Sequence, residues 1–163
     1  MQRLFALKHT GLVVIASLLL SACGFQLRGS VPISADKQQV YLSPKQALSP
    51  MEKVLRQTLK DNGVTLTNKA PYTLRIESSR VARDSSVINT SGEVTVYTLR
   101  LEVDYRIDKP STEASYSFTE TLERNYSYDT NAAVANTEQE SVIVQELYRA
   151  AANRIIRRFV AVD

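Results

Sequence analysis

The chain has 163 residues, with 20 Lys and Arg against 17 Asp and Glu, one Cys, one His and no Trp. That length suits one domain with a sizeable core, and a net charge of +3 is too small to argue for a nucleic-acid surface. A single cysteine excludes an internal disulfide, and one Cys with one His cannot assemble the usual zinc ligand sets.

The first stretch decides where the protein begins. Arg3 and Lys8 form a short basic start, and residues 11–20 form an apolar run too short to span a bilayer as a helix. The run ends in Leu20-Ser21-Ala22-Cys23, which resembles the bacterial lipoprotein signal. The resemblance implies cleavage before Cys23, a diacylglyceryl group on its thiol and acylation of the new amine. A secreted protein with a stray cysteine is the plainer alternative. The sole cysteine standing at the one position such a signal requires favours lipidation. Each buried methylene contributes about 0.8 kcal/mol and one chain anchors only marginally, so several acyl chains make a durable attachment. Gly24 follows where an aspartate would imply retention at the inner membrane, which implies the outer membrane instead. Residues 1–22 thus read as a removed signal peptide, 23–37 as a lipidated tether and 38–163 as one domain. Arg3, Lys8 and His9 leave with the signal peptide, so the mature chain is close to neutral.

The tether holds two glycines and Pro32, with no sustained period, and runs into the polar Ser34-Ala35-Asp36-Lys37-Gln38-Gln39. A short strand is expected at Val40-Tyr41-Leu42. Ser49 then caps a helix, with Pro50 at its first position, Glu52 completing a capping box and Met51, Val54, Leu55 and Leu59 on one face. Asn62-Gly63 ends it, and Val64-Thr65-Leu66 adds a brief extended piece. Three strands follow. Tyr72, Leu74 and Ile76 share a face, and the turn-rich residues 84–92 separate them from the next strand. There Tyr97, Leu99, Leu101, Val103, Tyr105 and Ile107 alternate with polar residues. After a turn at Lys109-Pro110-Ser111, the last strand aligns Ala114, Tyr116, Phe118, Leu122, Tyr126 and Tyr128. Thr73–Glu77 and Thr98–Glu102 echo each other in sequence, as two paired strands sharing one pattern would. One apolar face per strand means a sheet covered on one side. The cover is a C-terminal helix with a capping box at Thr137 and Glu140, and an apolar stripe of Val144, Leu147, Tyr148, Ala151, Ile155 and Phe159. Arg154, Arg157 and Arg158 near its end complement the helix dipole. The expected fold is α+β: a two-layer sandwich with two helices packed on one face of a mainly antiparallel four-stranded sheet.

A cysteine followed by Gly24-Phe25-Gln26-Leu27-Arg28-Gly29, and then by this order of elements, resembles the LptE family over essentially the whole mature chain. The resemblance implies an outer-membrane lipoprotein of the lipopolysaccharide translocon. It would act as plug and assembly partner of the LptD β-barrel and contact lipopolysaccharide. In that family, lipid contact is attributed to basic residues near a hairpin loop and before the last helix. This chain has Asn89-Thr90 and Asn136 around those places, which moves such contact to Arg80, Arg83 or Arg124.

The residues themselves also point to binding rather than catalysis. Ser34-Ala35-Asp36-Lys37 matches the S-x-x-K of penicillin-recognising enzymes, but neither K-T-G nor S-D-N accompanies it. No nucleophile–base pair, Gly-rich phosphate loop, metal site or cofactor site is expected. With both apolar sets on one face, Ile107 lies opposite Ala114, Tyr105 opposite Tyr116, Val103 opposite Phe118, Leu101 opposite Glu120, Leu99 opposite Leu122 and Tyr97 opposite Arg124. Glu120 and Arg124 then interrupt the covered face, joined by Arg80 if its strand keeps phase from Leu74. Charges there are costly unless the strands pass beyond the helices, so residues 80–97 and 120–128 are expected to project. A buried Glu120–Arg124 pair is the plainer alternative. On function, the competing class is an envelope lipoprotein that activates a peptidoglycan synthase or serves another periplasmic machine.

Overall fold

The computed structural model describes residues 33–43 and 49–162; the signal-like segment, Cys23 and residues 24–29 lie outside them. A 3-10 turn over Ala35–Lys37 leads into β1 (Gln39–Ser43), α1 (Pro50–Asp61), β2 (Thr65–Leu66), β3 (Tyr72–Ile88), β4 (Val94–Lys109), β5 (Ala114–Ser127) and α2 (Ala133–Ala161). The described strands form one mixed sheet in the order β2-β1-β3-β4-β5. It has five strands rather than four, because the brief extended piece at Thr65–Leu66 pairs with β1. β1 runs parallel to both β2 and β3, and the rest is antiparallel. α1 supplies the crossover that parallel neighbours require.

Local chemistry sets α1 as the sequence predicts. Ser49 Oγ accepts from the Glu52 amide at 3.1 Å, and Pro50 occupies the first turn. At the other end Gly63 adopts φ +80°, so its amide reaches Lys60 O at 2.9 Å and that of Val64 reaches Leu59 O at 3.0 Å. This double closure is the Schellman arrangement, which favours glycine at that position.

α2 starts one turn earlier than expected, with Thr137 and Glu140 inside it rather than at its cap. Asn136 is the reason. Its side-chain amide donates to Asp129 O at 2.6 Å and accepts from Asp129 N at 3.3 Å, which fixes the loop against an added first turn. Thr137 Oγ1 instead donates back to Ala133 O at 3.0 Å.

The strands are long. β3 has 17 residues and β4 has 16, about 55 Å of extended chain at 3.3 Å per residue. Strand structure continues through the residues expected to form a wide turn, leaving a tight loop at 89–93. There Asn89 Oδ1 accepts from the amides of Ser91 at 3.0 Å and Glu93 at 2.9 Å. α2, with 29 residues, is about 43 Å long at 1.5 Å per residue, so it covers much more sheet than a short helix could. Leu122 and Tyr126 are accordingly buried beneath it. The projecting part is the β3–β4 tip, where Val87 and Ile88 are exposed, and not residues 120–128.

The core lies between the helices and one sheet face. Met51, Leu55 and Leu59 of α1 and Leu147, Ala151, Ile155, Ile156 and Phe159 of α2 meet Val40, Leu74, Leu99, Leu101, Val103 and Ile107. Tyr72 and Phe159 pack edge to face with centroids 5.5 Å apart. Lys37 is buried, and its ammonium donates to Val160 O at 2.8 Å and also to Val162 O, so the entering chain is fastened to the end of α2. Leu147 is 2% exposed and Val142 56% exposed on the same helix. Leu147→Ala is therefore expected to destabilise by about 2–5 kcal/mol, while Val142→Ala stays within about 0.5 kcal/mol. Urea unfolding midpoints of the two variants check both values.

Candidate functional site

Register decides where each arginine goes. The β4–β5 ladder pairs Lys109 with Ala114, Ile107 with Tyr116, Tyr105 with Phe118, Val103 with Glu120, Leu101 with Leu122, Leu99 with Arg124 and Tyr97 with Tyr126. Each partner differs by two residues from the expected alignment. The connection is tighter than expected: a 3-10 turn over Pro110–Thr112 followed by Glu113 at φ 56°. A two-residue slip keeps every side chain on its face, so Glu120 and Arg124 still point to the helix side.

β3 behaves differently. A bulge between Ile76 and Ser78 inserts Glu77 and reverses the alternation beyond it. Arg80 consequently leaves the face of Leu74 and joins the open face, where its Nη2 donates to Glu102 Oε1 at 2.9 Å. Arg83 takes the helix side instead. Leu99 pairs with Arg83 on one flank and Arg124 on the other. Of the three arginines singled out, the fold therefore brings Arg83 and Arg124 together and separates Arg80.

Arg83 sits in an aromatic cluster at the far end of the seam. Its guanidinium lies 4.8 Å from the centroid of Tyr97 and pairs with Glu140 at 3.2 Å. Tyr126 OH donates to the same Glu140 oxygen at 2.9 Å, and Tyr97 stacks on Tyr126 and meets Tyr128 edge to face. The hydrogen bonds to Tyr126 and Glu140 raise the Arg83 pKa, and burial raises that of Tyr126, so Arg83 is held charged and Tyr126 neutral.

Further along the seam, Glu120 is buried but not with Arg124. Tyr105 OH donates to it at 3.3 Å and Arg154 lies 3.7 Å away. Burial, with Glu120 beside it, pushes the Tyr105 phenol well up. Arg158 lies 5.2 Å from the Phe118 centroid. Two hollows open between β5 and α2. One, of about 320 Å³, is lined by Leu122, Arg124, Glu146, Leu147 and Arg154; the other, of about 400 Å³, by Glu120, Arg154, Arg157 and Arg158. From the sequence these α2 arginines read as a dipole complement on a solvated face. The signal for more was Glu120 within an apolar alternation, a charge that requires a cation opposite.

The open face is a ladder of paired polar groups. Arg100 bonds Glu123 at 2.6 Å and lies 3.4 Å from Asp84, and Thr98 donates to Asn125 at 2.8 Å. Asp104 receives the hydroxyls of Thr119 and Ser78, each at 2.7 Å. The Thr119 bond, then the Ser78 bond, holds its carboxyl below the usual carboxylate range. At the tip the cross-strand pairs turn aliphatic, Val87 with Val96 and, beyond a further register shift, Ile88 with Val94. Asn89 and Asn136, which stand where basic residues would be expected from the resemblance, hydrogen-bond their own surrounding backbone. Among the described residues no three His, Cys, Asp or Glu side chains gather to hold a metal ion, and no helix is long and apolar enough to cross a membrane.

Because the Asp104 value is depressed on folding, its contribution is complete above about pH 4 and is lost as pH falls through the lower folded value. Asp104→Asn is expected to flatten that acid limb in a plot of urea midpoint against pH. An unchanged limb would show that the two hydroxyls contribute nothing to stability.

The chain resembles known proteins over most of its length. A family model described as LptE, lipopolysaccharide-assembly, matches residues 37–159. The chain is 26% identical over 153 residues to the LPS-assembly lipoprotein LptE of Pectobacterium atrosepticum, covering 91% of this chain and 83% of that one. Against the LPS-assembly lipoprotein LptE of Yersinia pestis it is 27% identical over 157 residues, covering 94% and 75%. Among solved structures, rare lipoprotein B from Shewanella oneidensis aligns with a TM-score of 0.69 at 24% identity, covering 76% of this chain and 94% of that one. A minor lipoprotein from Acinetobacter baumannii aligns with a TM-score of 0.59 at 28% identity, covering 80% and 94%.

Proposed function

The chain belongs to the LptE lipopolysaccharide-assembly family, and on that footing we propose that it is the lipoprotein subunit of a lipopolysaccharide translocon. Lipid on Cys23 holds it at the periplasmic side of the outer membrane. The domain occupies the lumen of the LptD β-barrel as plug and assembly partner. Arg83 and Arg124 on the helix side, with Arg80 on the open side, supply cations for lipopolysaccharide phosphates, for which the planar guanidinium is well suited.

One observation carries the reading: the open sheet face is polar along β4 and already internally paired through Arg80–Glu102 and Arg100–Glu123. A sheet that needs no second apolar layer suits the polar interior of a membrane barrel. The helix side retains its charges where α2 leaves the seam accessible. Arg124 is exposed, and among the described residues its one hydrogen bond is a 3.5 Å contact to Glu123 O, so it is available to a ligand at little cost to the fold.

Affinity purification without crosslinker is expected to recover a barrel of LptD type in near-equal amount, and recovery of a peptidoglycan synthase in its place would overturn the reading. Cys23→Ala is expected to release the protein from membranes with its circular dichroism spectrum unchanged. Arg124→Glu is expected to shift stability by no more than about 0.5 kcal/mol while weakening capture of lipopolysaccharide or of the barrel. Unchanged capture of both by a folded variant would remove Arg124 from the site.

A further inference from the structure

The two edges of the sheet are unlike. One is β2, two residues long; the other is β5, with 14 residues. Edge strands expose unpaired backbone groups that proteins guard by shortness, proline, lysine, bulges or covering structure. β5 has neither proline nor lysine, and its ladder to β4 runs without a register shift from Ala114 to Ser127. Among the described residues its guards are the inward Glu120 and one guanidinium, Arg154 Nη1, which reaches Thr121 O at 3.4 Å. A long, regular edge held by so light a contact can accept another strand.

The surrounding charge selects the occupant. Arg158 stands over Phe118, Arg154 beside Glu120 and Thr121, and Arg124 lies on β5 itself. From 118 to 124 that row covers about 20 Å of strand. Glu120 is engaged by Arg154 and Tyr105, and Glu123 by Arg100 on the other face. Among the described residues Arg124, Arg157 and Arg158 have no carboxylate partner, and Glu146 is the opposing charge nearby. A second copy of β5 would bring two such rows together and be repelled. An extended segment carrying carboxylates at alternate positions would meet the arginines on the helix side while its backbone continues the sheet.

We propose that the β5 edge, flanked by Arg124, Arg154, Arg157 and Arg158, is a docking site for an acidic, extended polypeptide segment that adds as a sixth strand. This goes beyond the reading above and does not depend on which barrel or lipid the chain serves. The full-length chain in mild detergent tests it, with capped nine-residue peptides alternating valine with glutamate or with lysine. The glutamate peptide is expected to bind at low salt at least tenfold more tightly than the lysine peptide. Backbone amide shifts should concentrate in 115–127. N-methylation of the peptide along one edge should abolish binding, and Arg157→Glu, at an exposed position, should weaken it at least fivefold with the fold intact. Equal binding of both peptides removes the charge argument, and undiminished binding of the N-methylated peptide, or of the glutamate peptide to Arg157→Glu, removes the strand-addition site. The same 115–127 shifts appearing with a doubled mass and no peptide would assign the edge to a second copy. Shifts produced only by anionic-lipid vesicles would assign the arginines to lipid; either result overturns the proposal. Capture of lipopolysaccharide or a barrel is measured separately, so failure here leaves the translocon reading standing.

Discussion

The seam between α2 and one face of the sheet is the interaction on which the rest depends. Leu147, Ala151, Ile155, Ile156 and Phe159 present a continuous apolar stripe to Leu99, Leu101, Val103 and Ile107. Burial at roughly 25 cal/mol per Å² makes such a seam the dominant favourable term in a domain this small. The sheet has one apolar face, so the helix must match it in length. Asn136 makes that possible by securing Asp129 and lengthening α2 by its first turn. The seam also fixes how the chain enters, since Lys37 donates to the carbonyls at the end of the same helix.

With one face closed, charge is sorted by the pleat. The open face pairs its own charges across neighbouring strands, where isolated exposed pairs contribute about 0–1 kcal/mol and serve mainly to keep the surface wet. The helix side carries its charge along its margins, where Arg83 is met by Glu140 and Tyr97, and Glu120 by Arg154 and Tyr105, while Arg124 stays exposed. A single inserted residue at Glu77 determines this division on β3, since without it Arg80 would lie toward the core and Arg83 away from it.

Much of this was legible in the residues alone. Strict alternation from Tyr97 to Ile107 marked β4 and its buried face, because a strand's side-chain period is two whatever its partners are. Ser49-Pro50 and Asn62-Gly63 bounded α1, because caps act on backbone groups a few residues away. The exceptional Glu120 and Arg124 kept the face their parity assigned even though the register slipped, since a shift of two preserves parity. Long-range choices were not written locally. The Glu77 bulge, the reach of α2, the pairing of Glu120 with Arg154 and the strand at Thr65–Leu66 each rest on contacts between residues distant in sequence. Local chemistry thus determined where α1 begins and ends and which face of β4 is apolar; tertiary structure alone decided which charges would meet, because pairing depends on distances that only packing sets.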